Sequence, residues 1–243
     1  MKGLIIKDFY CIRTSVKSVV LICIFSFFIC IMAVVSMQYG NLAMAFENIR
    51  EYGMDSRSVM ALWKILLSAL IFLPMALTWD VTRCFSEDQR CGFGKHEASF
   101  PISAFRAVTA RYSAVMLFGT SVFLFTTFLA LLCGLLSPDF TPGELIRRNA
   151  VLAGIIMTVV ITIFFFIYIT GGRYMEWIMA VPVLTALFIF FRTLLALEEF
   201  NFETVLQWLD SCFSLPFFIL LAAISLCAYT GSLFLISKKR GIR

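Results

Sequence analysis

Six long runs of apolar residues leave this chain few ways to fold. A helix needs about 20 mostly apolar residues to cross roughly 30 Å of hydrocarbon, and six stretches reach that length. They lie at roughly Val19–Tyr39, Val59–Trp79, Tyr112–Leu136, Leu145–Thr170, Trp177–Leu197 and Phe213–Ile236. Inside lipid each backbone amide must be satisfied within the chain, which admits helices and closed barrels only. Runs of this length predict helices, so the expected fold is all-α: a polytopic integral membrane protein in which residues 1–243 form a single transmembrane domain. Composition agrees. The chain is 61% hydrophobic and 14% charged, where soluble domains run near 45–50% and about 25%. A soluble enzyme, a disordered tail and a nucleic-acid-binding domain are excluded. Pro74, Pro182 and Pro216 fall inside spans, where neighbouring helices can satisfy the freed carbonyls.

Basic residues in short loops set orientation. Lys2, Lys7, Arg13 and Lys17 precede the first span, and Arg83, Arg90, Lys95, Arg106 and Arg111 lie between the second and third. Arg173 and the tail residues Lys238, Lys239, Arg240 and Arg243 fall on the same side. The other side holds Arg50, Arg57, Arg147, Arg148 and Arg192, with Lys64 inside a span. That asymmetry predicts both termini in the cytoplasm. Trp63, Trp79, Trp177 and Trp208 fall near span ends, where an amphipathic ring suits the interface. The first span is too long for a cleaved signal peptide and lacks an A-x-A-like site after it; no lipidation signal stands out.

The eight cysteines predict no disulfide framework. Cys11, Cys84 and Cys91 fall on the reducing side, and Cys23, Cys30 and Cys227 lie within spans as small apolar residues. Cys133 and Cys212 approach the outer face.

Between spans, Ile5, Phe9, Ile12 and Val16 share one helical face, with Lys7, Asp8, Cys11, Thr14 and Ser15 on the opposite half. This predicts an amphipathic helix in the cytoplasmic interface. Outside, Asn201 can cap a helix carrying Phe202, Val205, Leu206 and Leu209. Thr141, Pro142 and Glu144 predict the start of span four. Ser103 can cap a helix running through Phe105, Val108 and Tyr112 into span three.

Signatures of bond chemistry are absent. Gly92-Phe93-Gly94-Lys95 is too short for a P-loop and lacks the following hydroxyl residue, so the chain cannot cradle ATP by itself. Cys84, Cys91 and His96 have irregular spacing for zinc, and no metal site is expected. Lys64 lies within a span; it either snorkels to the outer interface or lines a path for substrate. A proton-coupled carrier usually needs carboxylates or histidines at the midplane, and the spans offer none. Energy for any transport should come from elsewhere.

The connection Asp80–Arg111 mixes both charge signs. Glu87-Asp88, Gly92-Phe93, Ser99-Phe100-Pro101-Ile102-Ser103 and Ala110-Arg111-Tyr112 occur there in order. In this the sequence resembles the permease subunit of bacterial ABC exporters of the type-2 permease superfamily, especially its small six-span members. The opening Met1 to Tyr10 is similar to their usual N-terminus. Phe93 stands where that family usually has tryptophan.

The resemblance implies a permease in the bacterial plasma membrane, paired with a second permease copy or paralogue. Cytoplasmic ATP-binding cassette subunits would dock beneath, with ATP and Mg bound on them and no cofactor on this chain. It implies a cytoplasmic coupling segment between helices 2 and 3, with Glu87, Asp88, Arg90, Phe93, Phe100, Pro101 and Ser103 as ATPase-coupling residues. The implied activity is export of an amphipathic or hydrophobic substrate such as a peptide, lipid or drug. Two other classes fit the topology: a polytopic membrane enzyme, and a non-transporting membrane partner of a sensor or ATPase.

Overall fold

A computed structural model describes residues 2–40, 44, 48, 56–82, 103–137, 141–170 and 202–241. The expected fifth span, 177–197, and most of the connection between spans two and three lie outside these residues. The elements are α1 (Lys2–Cys11), α2 (Arg13–Tyr39), α3 (Ser56–Ala76) with a 3-10 tail (Leu77–Thr82), α4 (Ala104–Leu136), α5 (Pro142–Thr170), α6 (Phe202–Cys212) and α7 (Leu215–Gly241). Among the described residues five helices, α2, α3, α4, α5 and α7, are long and apolar enough to cross a membrane.

Local chemistry explains where these helices start and stop. Ser103 holds extended backbone and its Oγ accepts the Arg106 N–H at 3.3 Å, the expected N-cap. Pro142 is the first residue of α5, where a missing N–H costs nothing. Pro74 sits inside α3; its missing N–H frees the Leu70 carbonyl, which accepts from Ser26 Oγ of α2 at 3.1 Å, and the chain tightens to 3-10 geometry from Leu77. α1 and α2 are separated only by Ile12, and backbone bonds continue across it, Ile12 N–H to Asp8 O at 3.1 Å and Val16 N–H to Ile12 O at 2.9 Å.

Helices α2 to α5 alternate in direction and α7 runs parallel to α5, so the bundle has two ends. The near end gathers α1, the start of α2, the 3-10 tail, the start of α4 and the ends of α5 and α7. The far end gathers the end of α2, the starts of α3, α5 and α7, the end of α4, and α6. A near-end core joins Ile12, Met75, Val108, Tyr112, Phe164 and Ala228. A far-end core joins Cys30, Trp63, Leu67, Leu129, Cys133 and Leu145. Helix α5 is the centre: 44% of its most apolar window is buried against 11% for α7, which lies at the edge.

One glycine sets how closely α4 turns back into α5. A Cβ on Gly134 would meet the Pro142 Cα at 2.6 Å, and backbone cannot move aside as a flexible side chain can. Beside it, Gln38 donates to the Leu136 carbonyl and ties the end of α2 to the end of α4.

Two sequence expectations change in detail. The stripe Ile5, Phe9, Ile12 and Val16 is helical, but it turns toward protein: Ile12 is 1% exposed and Phe9 and Val16 pack on the near-end core. From the half expected to be polar, Asp8 and Ser15 are buried, because α1 packs against α4 and that contact needs both faces. Trp63 lies near a span end, yet its ring is 3% exposed within the far-end core instead of facing an interface. As expected, Cys133 and Cys212 are both free thiols; Cys133 is buried beside Cys30 in the far-end core.

Candidate functional site

Among the described residues, the buried charged side chains, Asp8, Arg111 and Arg148, lie at the two ends of the bundle. At the near end Asp8 is 4% exposed. Its carboxylate meets Lys7 Nζ at 3.1 Å and Arg111 Nε at 3.9 Å. Arg111 is itself buried, at 5% exposure. Two charges on different helices are rarely buried together unless they pair, so this contact fixes where α1 lies on α4. Sequence periodicity misses it, because periodicity reports a helix face and says nothing of a partner 103 residues away.

The first turns of α4 are held on their other side by α7. The Tyr112 and Ser232 hydroxyls are 2.8 Å apart, as are those of Thr109 and Tyr229. The Tyr112 and Tyr229 rings meet edge to face, 5.2 Å between centroids. A weaker contact continues the seam into α5, Ser225 Oγ to Thr158 Oγ1 at 3.4 Å. Helix α4 therefore begins at its Ser103 cap and is gripped within three turns by α1 and α7.

The expected coupling segment enters and leaves through this grip. It follows Thr82, which is fully buried at the end of the 3-10 tail, and rejoins the described chain at Ser103. Glu87, Asp88, Arg90, Phe93, Phe100 and Pro101 lie outside the described residues, as do Cys84, Cys91 and His96. Ser103 lies within them and is the α4 cap.

At the far end, Lys64 of α3 reaches Glu144 in the first turn of α5, Nζ to Oε2 at 3.7 Å. The side chains are 24% and 36% exposed, as suits a cation bending toward an interface. Arg148 of α5 is different. Its Nε and Nη2 donate to Asp210 Oδ1 and Oδ2 of α6, both at 3.0 Å. The Arg148 side chain is 4% exposed and that of Asp210 41%. Its Nη1 is buried with no hydrogen-bond partner. Next to it in sequence, Asn149 Nδ2 donates to Thr126 Oγ1 at 3.0 Å and Thr127 Oγ1 at 3.1 Å. The guanidinium of Arg147 lies 5.8 Å from the Phe213 ring.

Ion pairs join elements at each end, and between the ends apolar packing is interrupted by hydroxyl contacts such as Ser225–Thr158 and Ser26 to the Leu70 carbonyl. Compared with known families, residues 57–238 match the family described as ABC-2 family transporter protein, well over half of the chain. No curated protein and no solved structure matches.

Proposed function

The chain belongs to the ABC-2 transporter family, and from that premise we propose that it is the permease subunit of an ATP-driven exporter, working with separate ATPase subunits. The segment from Glu87 to Ser103 is the docking element. Phe93 and Phe100 are its apolar anchors, and Glu87, Asp88 and Arg90 set register. ATP and Mg belong to the ATPase, and a second permease copy or paralogue completes the path. The substrate is amphipathic or hydrophobic, in keeping with spans that offer few polar groups.

The buried Asp8–Arg111 contact carries the mechanical part of this proposal. A push on the docking segment arrives at Ser103, and α4 runs unbroken from there for 33 residues, about 50 Å at 1.5 Å per residue. Because Asp8 joins α1 to that same stretch, α1 and α4 shift together. The Tyr112–Ser232 and Thr109–Tyr229 bonds pass the motion to α7. The permease supplies a path and no bond chemistry.

Co-purification with an ATPase tests the assignment. Wild-type chain should bring an ATPase subunit from native membranes and hydrolyse no ATP alone. Interface aromatics that act as hot spots cost about 2 kcal/mol or more when truncated, roughly 30-fold in affinity. Phe93→Ala or Phe100→Ala should therefore weaken that association and lower export while leaving membrane insertion intact. If both variants keep wild-type pull-down and export, the segment is only a loop. Proton-driven transport by the chain alone would make it a secondary carrier, and the absence of any ATPase would favour a membrane enzyme or a non-transporting partner.

A further inference from the structure

We propose that Arg147 and Arg148 form a two-point clamp that holds α6 over the far end of the bundle, and that the clamp releases when the path opens there. This goes beyond the exporter assignment and rests on it for its purpose.

Two consecutive residues of α5 grip two neighbouring points of one small element. Arg148 holds Asp210 in the last turn of α6 through a bidentate pair, both bonds at 3.0 Å. Arg147 lies against Phe213 just beyond α6, 5.8 Å from its ring. The Phe213 N–H in turn donates to the Asp210 carbonyl at 3.2 Å, so both grips act on one turn. Among the α6 side chains that are described, Leu206 also turns inward, at 7% exposure, and the helix packs along α3 as well as α5. Phe213 and Ser214 interrupt the helix between α6 and α7, giving α6 a place to swing.

The clamp is built to be reversible. The Arg148 side chain is desolvated, yet one of its guanidinium nitrogens has no acceptor. A buried polar group left unpaired is costly, and that cost disappears when the guanidinium reaches water. Asp210 is already 41% exposed and loses little hydration when paired. Closed and released states are thus nearer in energy than for a fully satisfied buried pair. An exporter needs such a balance at the end where cargo leaves.

Cys212, half-buried at the end of α6, reports release directly. Full-length chain in lipid nanodiscs is treated with a membrane-impermeant maleimide, and modification of Cys212 is followed by peptide mass spectrometry. Wild type should react slowly. Asp210→Asn should raise the rate at least tenfold, whereas Asp210→Glu, which keeps the charge, should stay within threefold. Arg147 is exposed, so Arg147→Ala leaves folding intact; it should raise the rate two- to fivefold and decides the matter if Asp210→Asn misfolds. Rates within twofold of wild type in Arg147→Ala and in folded Asp210→Asn overturn the clamp, as does equal opening by Asp210→Glu and Asp210→Asn. With a bound ATPase, adding MgATP should move the wild-type rate toward that of Asp210→Asn. A rate indifferent to ATP, with association intact, makes α6 a fixed roof and overturns the release. Failure of ATPase association refutes the exporter assignment alone and leaves the comparison of variants standing.

Discussion

Replacing Asp8 by Asn keeps the shape of the side chain and removes the charge that joins α1 to α4. At 3.9 Å, an effective dielectric near 20 gives about 4 kcal/mol of gross attraction between Asp8 and Arg111, part of which desolvation offsets. Stranding a buried charge costs about 3–5 kcal/mol, but two facts lower that figure here. The Lys7 side chain is 23% exposed and rehydrates, and Arg111 has a further interaction. We therefore expect Asp8→Asn to weaken docking of α1 by about 2–3 kcal/mol, a factor of roughly 30–150. The assay is hydrogen exchange of α1 amides in full-length chain in nanodiscs, referenced to α5 amides in the same sample. Arg111→Gln, which leaves Asp8 with Lys7, should cost less, about 1–2 kcal/mol, by the same accounting of stranded charge. The double variant Asp8→Asn/Arg111→Gln should fall short of the sum by about 1–2 kcal/mol, since residues in contact couple. Exchange in α1 within threefold of wild type after Asp8→Asn, or strict additivity in the cycle, would show that apolar packing alone seats α1. The mechanical link from α1 to α4 would then lose its basis.

Gly134→Ala should lower stability by about 1–3 kcal/mol, as overpacking does, because its Cβ meets the Pro142 backbone; thermal unfolding in detergent is the measurement. Gly143→Ala, which adds a Cβ with nothing within 4 Å, is the control and should be neutral or stabilise by up to about 1 kcal/mol. Lys64→Gln should change stability by less than about 1 kcal/mol, because its pair with Glu144 is partly solvated; a larger loss would mean the ammonium is part of the fold. Cysteines placed at Lys95 and Lys239 should resist an impermeant thiol reagent in intact cells while one at Glu203 labels, and the opposite pattern would invert the topology.

The sequence predicts helices best where hydropathy and helix coincide. The second to fourth runs recur as α3, α4 and α5, and the first and last as α2 and α7. Offsets at the ends have a physical cause. Hydropathy marks the hydrocarbon crossing, whereas α4 starts eight residues before the expected Tyr112, at Ala104, because a helix capped by Ser103 and packed against α1 can run on beyond the hydrocarbon. Caps and prolines were legible for the same reason: their effects are local. Tertiary partners were not. Asp8 looks solvated in a helical wheel, and Arg148 looks like one of two outer loop arginines. Their partners lie on other helices, and no spacing rule reaches that far. Trp63 shows the limit in depth, since position along a span says nothing about which way the ring turns.

Helix α7 carries a consequence for how the protein is made. It is the last of the described helices to leave a ribosome, and among its described side chains only Ala228 and Ser232 are buried, both small. Lipid tails are as apolar as leucine, so hydrophobicity alone gives a late helix little reason to prefer its sisters to the bilayer. Besides close packing against α5 at Gly154 and Gly231, it is held by a row of hydroxyls, Tyr229, Ser232 and Ser225, meeting Thr109, Tyr112 and Thr158. Contacts of that kind in membranes contribute on the order of 0.6 kcal/mol each, so three of them give about 2 kcal/mol. Among the described helices α7 thus joins late, with α2 to α5 able to settle before it. A lesion in the hydroxyl row would yield an inserted, nearly complete protein with one helix adrift, a substrate for membrane quality-control proteases.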